Sequence, residues 1–410
     1  MTFRSLVFCA LLSTSVVAQQ VLKEDPPRGA LASGAKVLVD DGTCPAGEIK
    51  ELTGGPPRTS RCIVRKPQEA KNASLTPSEV KAAIGKITSD HHLKSVWFRV
   101  EQPGVEPIDV SVNVPQRAVG IGSISKSITA IGIAILIQEG KLRLDSKLGD
   151  VLRDYFANRH VTFDPSLEPI TIERLLTHRA GLMPNRAADE EHGLRSVSVT
   201  DRIGGKPHFF NYIITAHAAK SSGKDDYVYS NLSYLVLGMV IEAVSGEEYA
   251  HFCQKRIFEP LDVKGARIPT YWNVVAPFGG WQIPLADLFK VWSVFDIERP
   301  TLLSAATLQT TLLGRLGRPI RENSNVYYTL GVWVRQNSEG GPYVLTHDGY
   351  AGFIRGVPTY QSYIEKFVPG HAWAIAVSPA PPERDARKIR LSVVKEVRLM
   401  IQRGSHEGAE

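Results

Sequence analysis

The sequence predicts a mixed α/β fold of the α+β type, in which an antiparallel β-sheet is flanked by helices and interrupted by an inserted all-α block. Three observations lead to this prediction. Two strand patterns lie within residues 95–114, helical patterns dominate residues 171–267, and strand patterns return from residue 328 before a closing helix over residues 383–402. Strands, a run of helices and further strands are typical of a helix-covered sheet with an inserted domain.

Composition narrows the functional classes. The 410 residues are 43% hydrophobic and 22% charged, which is an ordinary globular composition and fits no disordered or fibrous class. The formal net charge of +6 and the pI near 9.0 allow attraction to an anionic surface. Lys and Arg are scattered and do not alternate with aromatic residues, so the sequence argues against a nucleic-acid-binding protein.

The first 18 residues have the pattern of an export signal. Arg4 precedes an uncharged run over residues 5–17, and Val16 and Ala18 are small residues suited to cleavage after Ala18. We therefore predict a cleaved signal peptide at residues 1–18 and a periplasmic or secreted mature protein. The run is too short to span a bilayer, so no integral membrane segment is expected after cleavage.

Residues 19–74 form a segment rich in Pro and Gly that we expect to be an appendage to the main domain. Residues 48–53 and 61–65 could pair as a small hairpin across the turn between them. Because export predicts an oxidising compartment, Cys44 and Cys62 are expected to form a disulfide. No further Cys or His stands at ligand spacing, so a metal site is not expected here.

The main domain is predicted over residues 75–403, with the helical insertion at about residues 140–280 and a flexible tail at residues 404–410. Outside the helical block, capping signals and strand periodicity predict the order of the elements. They are a helix at 77–89, strands at 95–100, 108–114, 328–334, 343–346, 352–360 and 373–377, and a helix at 383–402.

A small polar cluster stands at the start of an apolar helix predicted over residues 128–137. Ser123 and Lys126 share one face there, where unpaired amides and the positive end of the helix dipole favour a developing oxyanion. A partly desolvated lysine can take the proton of the serine, which would make Ser123 a nucleophile. The alternative is a capping serine with a lysine that extends to water. Ser-x-x-Lys occurs five times in the chain, so the spacing alone is not specific.

Two later motifs add to this one. The first, Tyr229-Ser230-Asn231, stands at the entrance of a second apolar helix, over residues 231–244, and the second, His347-Asp348-Gly349, is expected at the end of a strand. Together the three elements resemble, in order and type, those of the penicillin-recognising serine hydrolases, especially the class C β-lactamases, D-alanyl-D-alanine carboxypeptidases and related esterases. The resemblance covers roughly residues 75–403. Its elements are Ser123-x-x-Lys126, Tyr229-Ser230-Asn231 and His347-Asp348-Gly349.

The resemblance implies a β-lactamase/transpeptidase-like fold and a role for each matching residue. Ser123 would be the acylated nucleophile and Lys126 its base or relay, while Tyr229 would pass the proton to the leaving group. Asn231 would hold the substrate carbonyl or the Lys126 ammonium. The amides of Ser123 and Tyr350 would form the oxyanion hole. Which of Lys126 and Tyr229 accepts the proton is left open, and the two are treated as one coupled unit.

The third element departs from the lysine-containing version that many relatives carry. With Gly349, His347 is expected to line the substrate cleft, where a mostly neutral imidazole would bind a carboxylate less firmly than lysine does. Arg355 could replace the missing charge, although a surface arginine that points to water is the commoner outcome. His178 is expected to be a buried hydrogen-bonding residue rather than a catalytic one.

The predicted function is that of an exported serine hydrolase, an esterase or D-Ala-D-Ala carboxypeptidase-like enzyme that acts through an acyl-enzyme. Its partner would be a small ester, a D-amino-acid amide or a peptidoglycan fragment, with no metal and no cofactor. Two alternatives are a β-lactamase and a catalytically silent binding or scaffold protein with the same fold. The complete set of Ser, Lys, Tyr and Asn argues against the silent protein.

Overall fold

The structure is a computed structural model, and part of the chain lies outside its description. It describes residues 21–404 except 23–24, 28–29, 40, 42, 44–47, 65–74, 183–205, 208–225, 316–317, 322–323, 337–340 and 352–357. The predicted signal peptide and Cys44 lie outside the described residues, so cleavage and the disulfide with Cys62 stay predictions. The chain divides into two compact units, one that takes in Met1–Ala73 and one that takes in Ser74–Gly404.

The first unit contains a four-stranded sheet in the order β1-β2-β3-β4. Strands β3 and β4 pair antiparallel with Lys50 opposite Cys62, which agrees with the hairpin predicted from the sequence. Leu52 and Val39 are buried in this small sheet. Its strands are β1 (Val21–Leu22), β2 (Lys36–Val39), β3 (Glu48–Thr53) and β4 (Thr59–Val64).

The second unit combines helices with a long antiparallel sheet. Its described helices are α1 (Pro77–Asp90), α2 (Ser125–Gln138), α3 (Leu148–Ala157), α4 (Ile172–Leu176), α5 (Asn231–Ser245), α6 (Tyr249–Cys253), α7 (Ala276–Gly279), α8 (Leu285–Ser293), α9 (Ala305–Thr311) and α10 (Glu383–Gly404). Its described strands are β5 (Ser95–Glu101), β6 (Ile108–Val112), β7 (Val119–Gly120), β8 (Gln282–Ile283), β9 (Val326–Thr329), β10 (Val332–Gln336), β11 (Tyr343–Ala351), β12 (Tyr360–Val368) and β13 (Ala372–Ser378).

Seven strands form the main sheet in the order β6-β5-β13-β12-β11-β10-β9, and each neighbouring pair is antiparallel. Strands from both ends of the chain therefore meet in one sheet, as the sequence predicted. One face packs against α1 and α10 through Val80, Ile84, Val393 and Val397. A separate and larger apolar cluster includes α2, α5 and the helical block. Among the described residues, no helix is both long and apolar enough to cross a membrane.

The helices α2 and α5 form the centre of the larger cluster, in agreement with their all-apolar patterns. Ile128, Ile131 and Ile133 of α2 are fully buried, and burial of each such side chain contributes roughly 1.5 to 3 kcal/mol relative to exposure. Helix α5 ends where Gly246 adopts the left-handed conformation, with φ of 72°. These two helices therefore give the site a rigid base.

The strand boundaries differ from the prediction in two places. Residues 328–334 are two strands, because Leu330 and Gly331 form a tight reversal with positive φ at both positions. A Leu-Gly pair lacks the Asn-Gly signal of such turns, so the sequence did not reveal it. Strand β11 continues to Ala351, beyond the predicted end at residue 346, and β12 begins at Tyr360. The strand predicted at 352–360 lies for the most part outside the described residues, so it stays a prediction there.

Candidate active site

Lys126 occupies a fully buried position at the start of α2. One 3₁₀ turn, Gly122–Ile124, carries Ser123 and leads directly into the helix. The Nζ atom of Lys126 lies 3.0 Å from the Oγ atom of Ser123. It also donates to Oδ1 of Asn231 at 2.7 Å and to the carbonyl oxygen of Phe278 at 2.9 Å. The side chain of Lys126 is therefore held by contacts on three sides.

The partners of Lys126 determine what it can do chemically. An amide oxygen and a main-chain carbonyl can only accept hydrogen bonds, so they take two N–H groups of Lys126. The third direction points to Ser123. There Nζ can present a third N–H when it is charged, or its lone pair when it is neutral. In the neutral state Lys126 is placed to receive the proton of the Ser123 hydroxyl.

Tyr229 brings a phenol to the same centre. Its ring centroid lies 4.9 Å from Nζ of Lys126. Burial raises the pKa of Tyr229 well above its usual value, and the nearby Ser123 hydroxyl only partly opposes this shift. Tyr229 is therefore a neutral phenol at rest. Such a hydroxyl can receive one proton while it passes on another.

Three separate elements bring this cluster together. Lys126 is on α2, Asn231 is the first residue of α5, and Phe278 is in the short helix α7. All three helices belong to the large apolar cluster, which fixes their relative positions. The sequence predicted Lys126 and Asn231 as site residues. It missed the carbonyl group of Phe278, because no side-chain pattern marks a main-chain acceptor.

The turn that carries Ser123 lies directly against strand β11. A Cβ atom added at Gly122, where φ is +48°, would lie 2.6 Å from the nitrogen of Tyr350. A Cβ atom added at Gly349 would lie 1.9 Å from the carbonyl oxygen of Ile121 and 3.1 Å from the nitrogen of Ser123. Only glycines permit this approach of two backbones. It brings together the segments whose Ser123 and Tyr350 amides were predicted to form an oxyanion hole.

His347 occupies a different environment from the one predicted. Its side chain is 1% exposed, Nδ1 lies 2.6 Å from the carbonyl oxygen of Asp348, and Nε2 lies 3.0 Å from the hydroxyl of Tyr328. The carbonyl can only accept, so Nδ1 carries the proton and Nε2 accepts from Tyr328. Burial lowers the pKa of His347 to about 4, so the ring is neutral at pH 7. Neither nitrogen is left to donate to a substrate carboxylate, and His347 takes a supporting position instead.

The motif that contains His347 is also internal to its strand rather than at a strand end. His347 pairs with Ile364 and Gly349 with Ser362, and β11 continues for two residues beyond Gly349. The predicted end was wrong because glycine within a strand resembles a strand boundary in sequence. Arg355 lies outside the described residues, so its role stays a prediction.

The surroundings of Tyr229 are mostly aromatic. Within this cluster, the ring centroid of His178 lies 4.3 Å from that of Tyr229 and 4.5 Å from that of Tyr328, and Trp333 is parallel to Tyr229 at 6.4 Å. His178 is 1% exposed, as expected for a buried hydrogen-bonding residue. Sequence reasoning missed Tyr328 and Trp333, since aromatic residues in strands usually indicate packing alone. In the described residues, no group of three or more His, Cys, Asp and Glu side chains could hold a metal ion.

Most of the chain matches a known protein family. A family model described as Beta-lactamase matches residues 113–390, and one described as a family of unknown function (DUF6719) matches residues 1–68. The protein flp of Staphylococcus aureus (strain NCTC 8325 / PS 47) is 23% identical over 273 residues, which are 60% of this chain and 51% of that protein. The chain thus spans about half the length of the curated relatives it matches.

Solved structures share the fold at low sequence identity. The D-amino acid amidase from Ochrobactrum anthropi SV3, complexed with L-phenylalanine, gives a TM-score of 0.60 at 19% identity and covers 79% of this chain and 99% of that one. The octameric penicillin-binding protein homologue from Pyrococcus abyssi gives a TM-score of 0.57 at 21% identity and covers 78% of this chain and 77% of that one. At these identities the likeness shows the fold alone.

Proposed function

The chain belongs to the beta-lactamase family and is a serine hydrolase of the β-lactamase-related type, and from this premise we propose its finer function. The protein is an exported enzyme that forms an acyl-enzyme on Ser123. Its substrates are small neutral esters or D-amino-acid amides, with peptidoglycan-type peptides as a further class. It works in the periplasm or outside the cell.

One observation carries the proposal most directly, the burial of Lys126 against Ser123. A lysine that is fully buried loses the hydration of its ammonium group, which costs several kcal/mol even after relaxation. A protein with a purely structural or binding role gains nothing from that cost. A nucleophilic serine hydrolase does benefit from a buried lysine, because the desolvated amine takes the serine proton more readily.

The surrounding groups support a balanced two-step reaction. The Oγ atom of Ser123 bonds to the substrate carbonyl carbon while its proton passes to the unit formed by Lys126 and Tyr229. The negative charge that develops on the carbonyl oxygen faces the amides of Ser123 and Tyr350. Collapse breaks the bond to the leaving alcohol or amine, which takes a proton through Tyr229. Water then attacks the acyl group, with the same unit as base, and releases the acid and free Ser123.

The protonation state of Tyr229 indicates which of the two groups takes the first proton. Because burial raises the pKa of Tyr229, a resting phenolate is disfavoured, and neutral Lys126 is the better acceptor for the first proton. Tyr229 then acts as the group that passes the proton onward. The two side chains still titrate as a pair, so a measured pH profile belongs to both.

The substrate preference rests on His347. Its two nitrogens are engaged with Tyr328 and the Asp348 carbonyl, so it gives no charged donor to an anionic group. Hydrogen bonds from charged donors contribute about 1.5 to 3 kcal/mol, against about 0.5 to 1.5 for neutral ones. Neutral esters and amides should therefore be preferred to penicillins and cephalosporins, unless Arg355 supplies the missing charge.

Active-site labelling tests the proposal. The wild type should react with a fluorescent fluorophosphonate, and mass spectrometry should place the adduct on Ser123. Ser123→Ala should not label. Ser78→Ala is the matched control, because Ser78 and Lys81 have the same spacing on α1 and that variant should label normally. A wild type that stays unlabelled by both the fluorophosphonate and a fluorescent penicillin would support the silent alternative.

Rates on two chromogenic substrates separate esterase from β-lactamase activity. Hydrolysis of p-nitrophenyl butyrate should exceed hydrolysis of nitrocefin in kcat/KM. Faster turnover of nitrocefin would favour the β-lactamase alternative and a cation near the site. Export is tested separately: expression of the full chain in a Gram-negative host should release mature protein on osmotic shock, with Gln19 as its first residue.

A further inference from the structure

His178 holds the backbone on both sides of Tyr229. Its carbonyl oxygen accepts from the amide of Val228 at 2.9 Å, and its ring Nδ1 accepts from the amide of Ser230 at 3.3 Å. One residue thus binds the positions immediately before and after Tyr229. Its φ of 55° lies in the left-handed region, which residues other than glycine adopt uncommonly.

The imidazole of His178 also packs against the phenol it encloses. Its ring centroid lies 4.3 Å from that of Tyr229 and 5.1 Å from that of Tyr234. Tyr234 is fixed in turn, because its hydroxyl donates to the carbonyl oxygen of Leu176 at 3.0 Å. His178 therefore contacts Tyr229 in two ways. Its ring packs against the phenol, and its hydrogen bonds hold the backbone on both sides of Tyr229.

The bond to Ser230 sets the protonation state of His178. A backbone N–H only donates, so Nδ1 must accept, and the single ring proton resides on Nε2. Nε2 is buried and has no hydrogen-bond partner among the described residues. A buried unpaired donor costs free energy, and a larger apolar residue at this place would pack without that cost. The histidine is therefore poorly explained by packing alone.

We propose that His178 is a positioning residue for the proposed hydrolysis. By accepting a hydrogen bond from the Ser230 amide, it holds the Tyr229 hydroxyl in place near Ser123. It does not touch substrate and transfers no proton. The catalytic consequence of this role rests on the proposed function, whereas its structural consequence rests on the contacts described above. A simple core role for His178 predicts a loss of stability only.

Two variants of similar size separate these roles. His178→Asn retains an acceptor close to the position of Nδ1 and tolerates the left-handed conformation. His178→Leu keeps an apolar side chain and removes the acceptor. Thr177→Val is the matched control, because it removes a hydrogen bond to the Glu173 carbonyl in the same turn without touching Tyr229 or Ser230.

The first readout is kinetic, with p-nitrophenyl butyrate as substrate and thermal melts in parallel. His178→Leu should lower kcat by about 30- to 100-fold, the size expected for a misplaced catalytic group, with KM changed less than about threefold. His178→Asn should recover at least a third of the wild-type kcat. Thr177→Val should lose stability and keep its kcat. A folded His178→Leu with kcat within about twofold of wild type overturns the proposal, as does a folded His178→Asn that loses about 30-fold or more.

The second readout needs no turnover. Nitration by tetranitromethane at pH 8, mapped by peptide mass spectrometry, reports how firmly Tyr229 is held, with the more exposed Tyr350 as internal reference. Nitration at Tyr229 should rise at least about fivefold in His178→Leu and stay at the wild-type level in His178→Asn. An unchanged rate in folded His178→Leu overturns the positioning role even if no substrate is known. A raised nitration rate at Tyr229 together with a Ser123 that does not label would contradict the proposed function and leave the positioning role of His178 intact. If His178→Leu does not fold, His178→Asn decides through both readouts.

Discussion

The Nζ atom of Lys126 lies 2.7 Å from Oδ1 of Asn231, although 105 residues separate them in the chain. An amide at this position accepts from the lysine without adding charge. Lys126 can therefore still adopt its neutral amine form, and its proposed role as the base depends on that form.

Asn231→Asp should slow acylation for an electrostatic reason. A carboxylate beside Nζ favours the protonated ammonium over the free amine, so kcat/KM for an ester at pH 7 should fall by about 10- to 100-fold. The loss should shrink as the pH rises, because higher pH restores the amine. The measurement is a pH series of kcat/KM. Asn231→Leu removes the acceptor without adding charge and serves as the control, with a loss that does not vary with pH in this way. Equal pH profiles for the two variants would count against Lys126 as the base.

A methyl group at Gly122 should damage the site far more than one at Gly140. Both glycines have positive φ, +48° and +70°, so both alanine variants carry the same kind of backbone strain, about 1 kcal/mol. At Gly122 the new atom would meet the nitrogen of Tyr350, at 2.6 Å, while none of the residues that the structure describes lies within 4 Å of such an atom at Gly140. Gly122→Ala should lower kcat by about 100-fold, as expected for a displaced oxyanion donor, and Gly140→Ala should keep it. Equal kcat values in thermally stable variants would exclude the proposed oxyanion hole.

Acid should destabilise the fold before the carboxylates titrate. An unfolded histidine titrates near pH 6.5, while burial lowers the pKa of His347 to about 4. Between these values the unfolded chain binds more protons, so the contribution of His347 is fully present above pH 6.5 and is lost as the pH falls. From pH 7.5 to pH 5 this amounts to roughly 2 kcal/mol for one such group. Half-buried His371, whose pKa is also lowered to about 4 by desolvation, adds to the same trend.

Urea unfolding at the two pH values checks this effect. His347→Gln should reduce the difference in unfolding free energy between pH 7.5 and pH 5 by roughly the same 2 kcal/mol. His251→Gln is the control, since that imidazole is largely exposed. If the His347 variant keeps the full pH dependence, the imidazole is not neutral in the folded protein.

Arg398 should matter for stability and not for chemistry. It donates to Glu365, a fully buried carboxylate of β12 that also accepts from the indole of Trp373 at 3.1 Å. Arg398→Met would leave that charge without its cation, which costs about 3 to 5 kcal/mol. Arg143→Met, which breaks an exposed pair with Asp145, should cost less than about 1 kcal/mol. Denaturant midpoints measure both, and a cost below 1 kcal/mol for Arg398→Met would contradict the uncompensated-charge argument.

Much of the fold followed from periodicity, because all-apolar helices and strands at both ends of the chain leave few alternatives. The family resemblance and the fold class predicted from the sequence are confirmed. Ser123, Lys126, Tyr229 and Asn231 do meet, and their motifs were visible as side-chain patterns. The environment of His347 could not be predicted, since it depends on Tyr328, which a concealed Leu-Gly turn brings into place. The carbonyl of Phe278 was equally hidden, because any residue type provides one.

The order of the main sheet has a consequence for how the protein is made. Strand β5, at Ser95–Glu101, has β13, at Ala372–Ser378, as one of its two neighbours. During synthesis the early strand must therefore wait for almost the whole chain before its second edge is covered. Contacts between such distant segments slow folding, and an uncovered strand edge invites pairing with other chains. A nascent or prematurely terminated chain would present that edge to chaperones and proteases, so partial products should be cleared rather than accumulate as half-active enzyme.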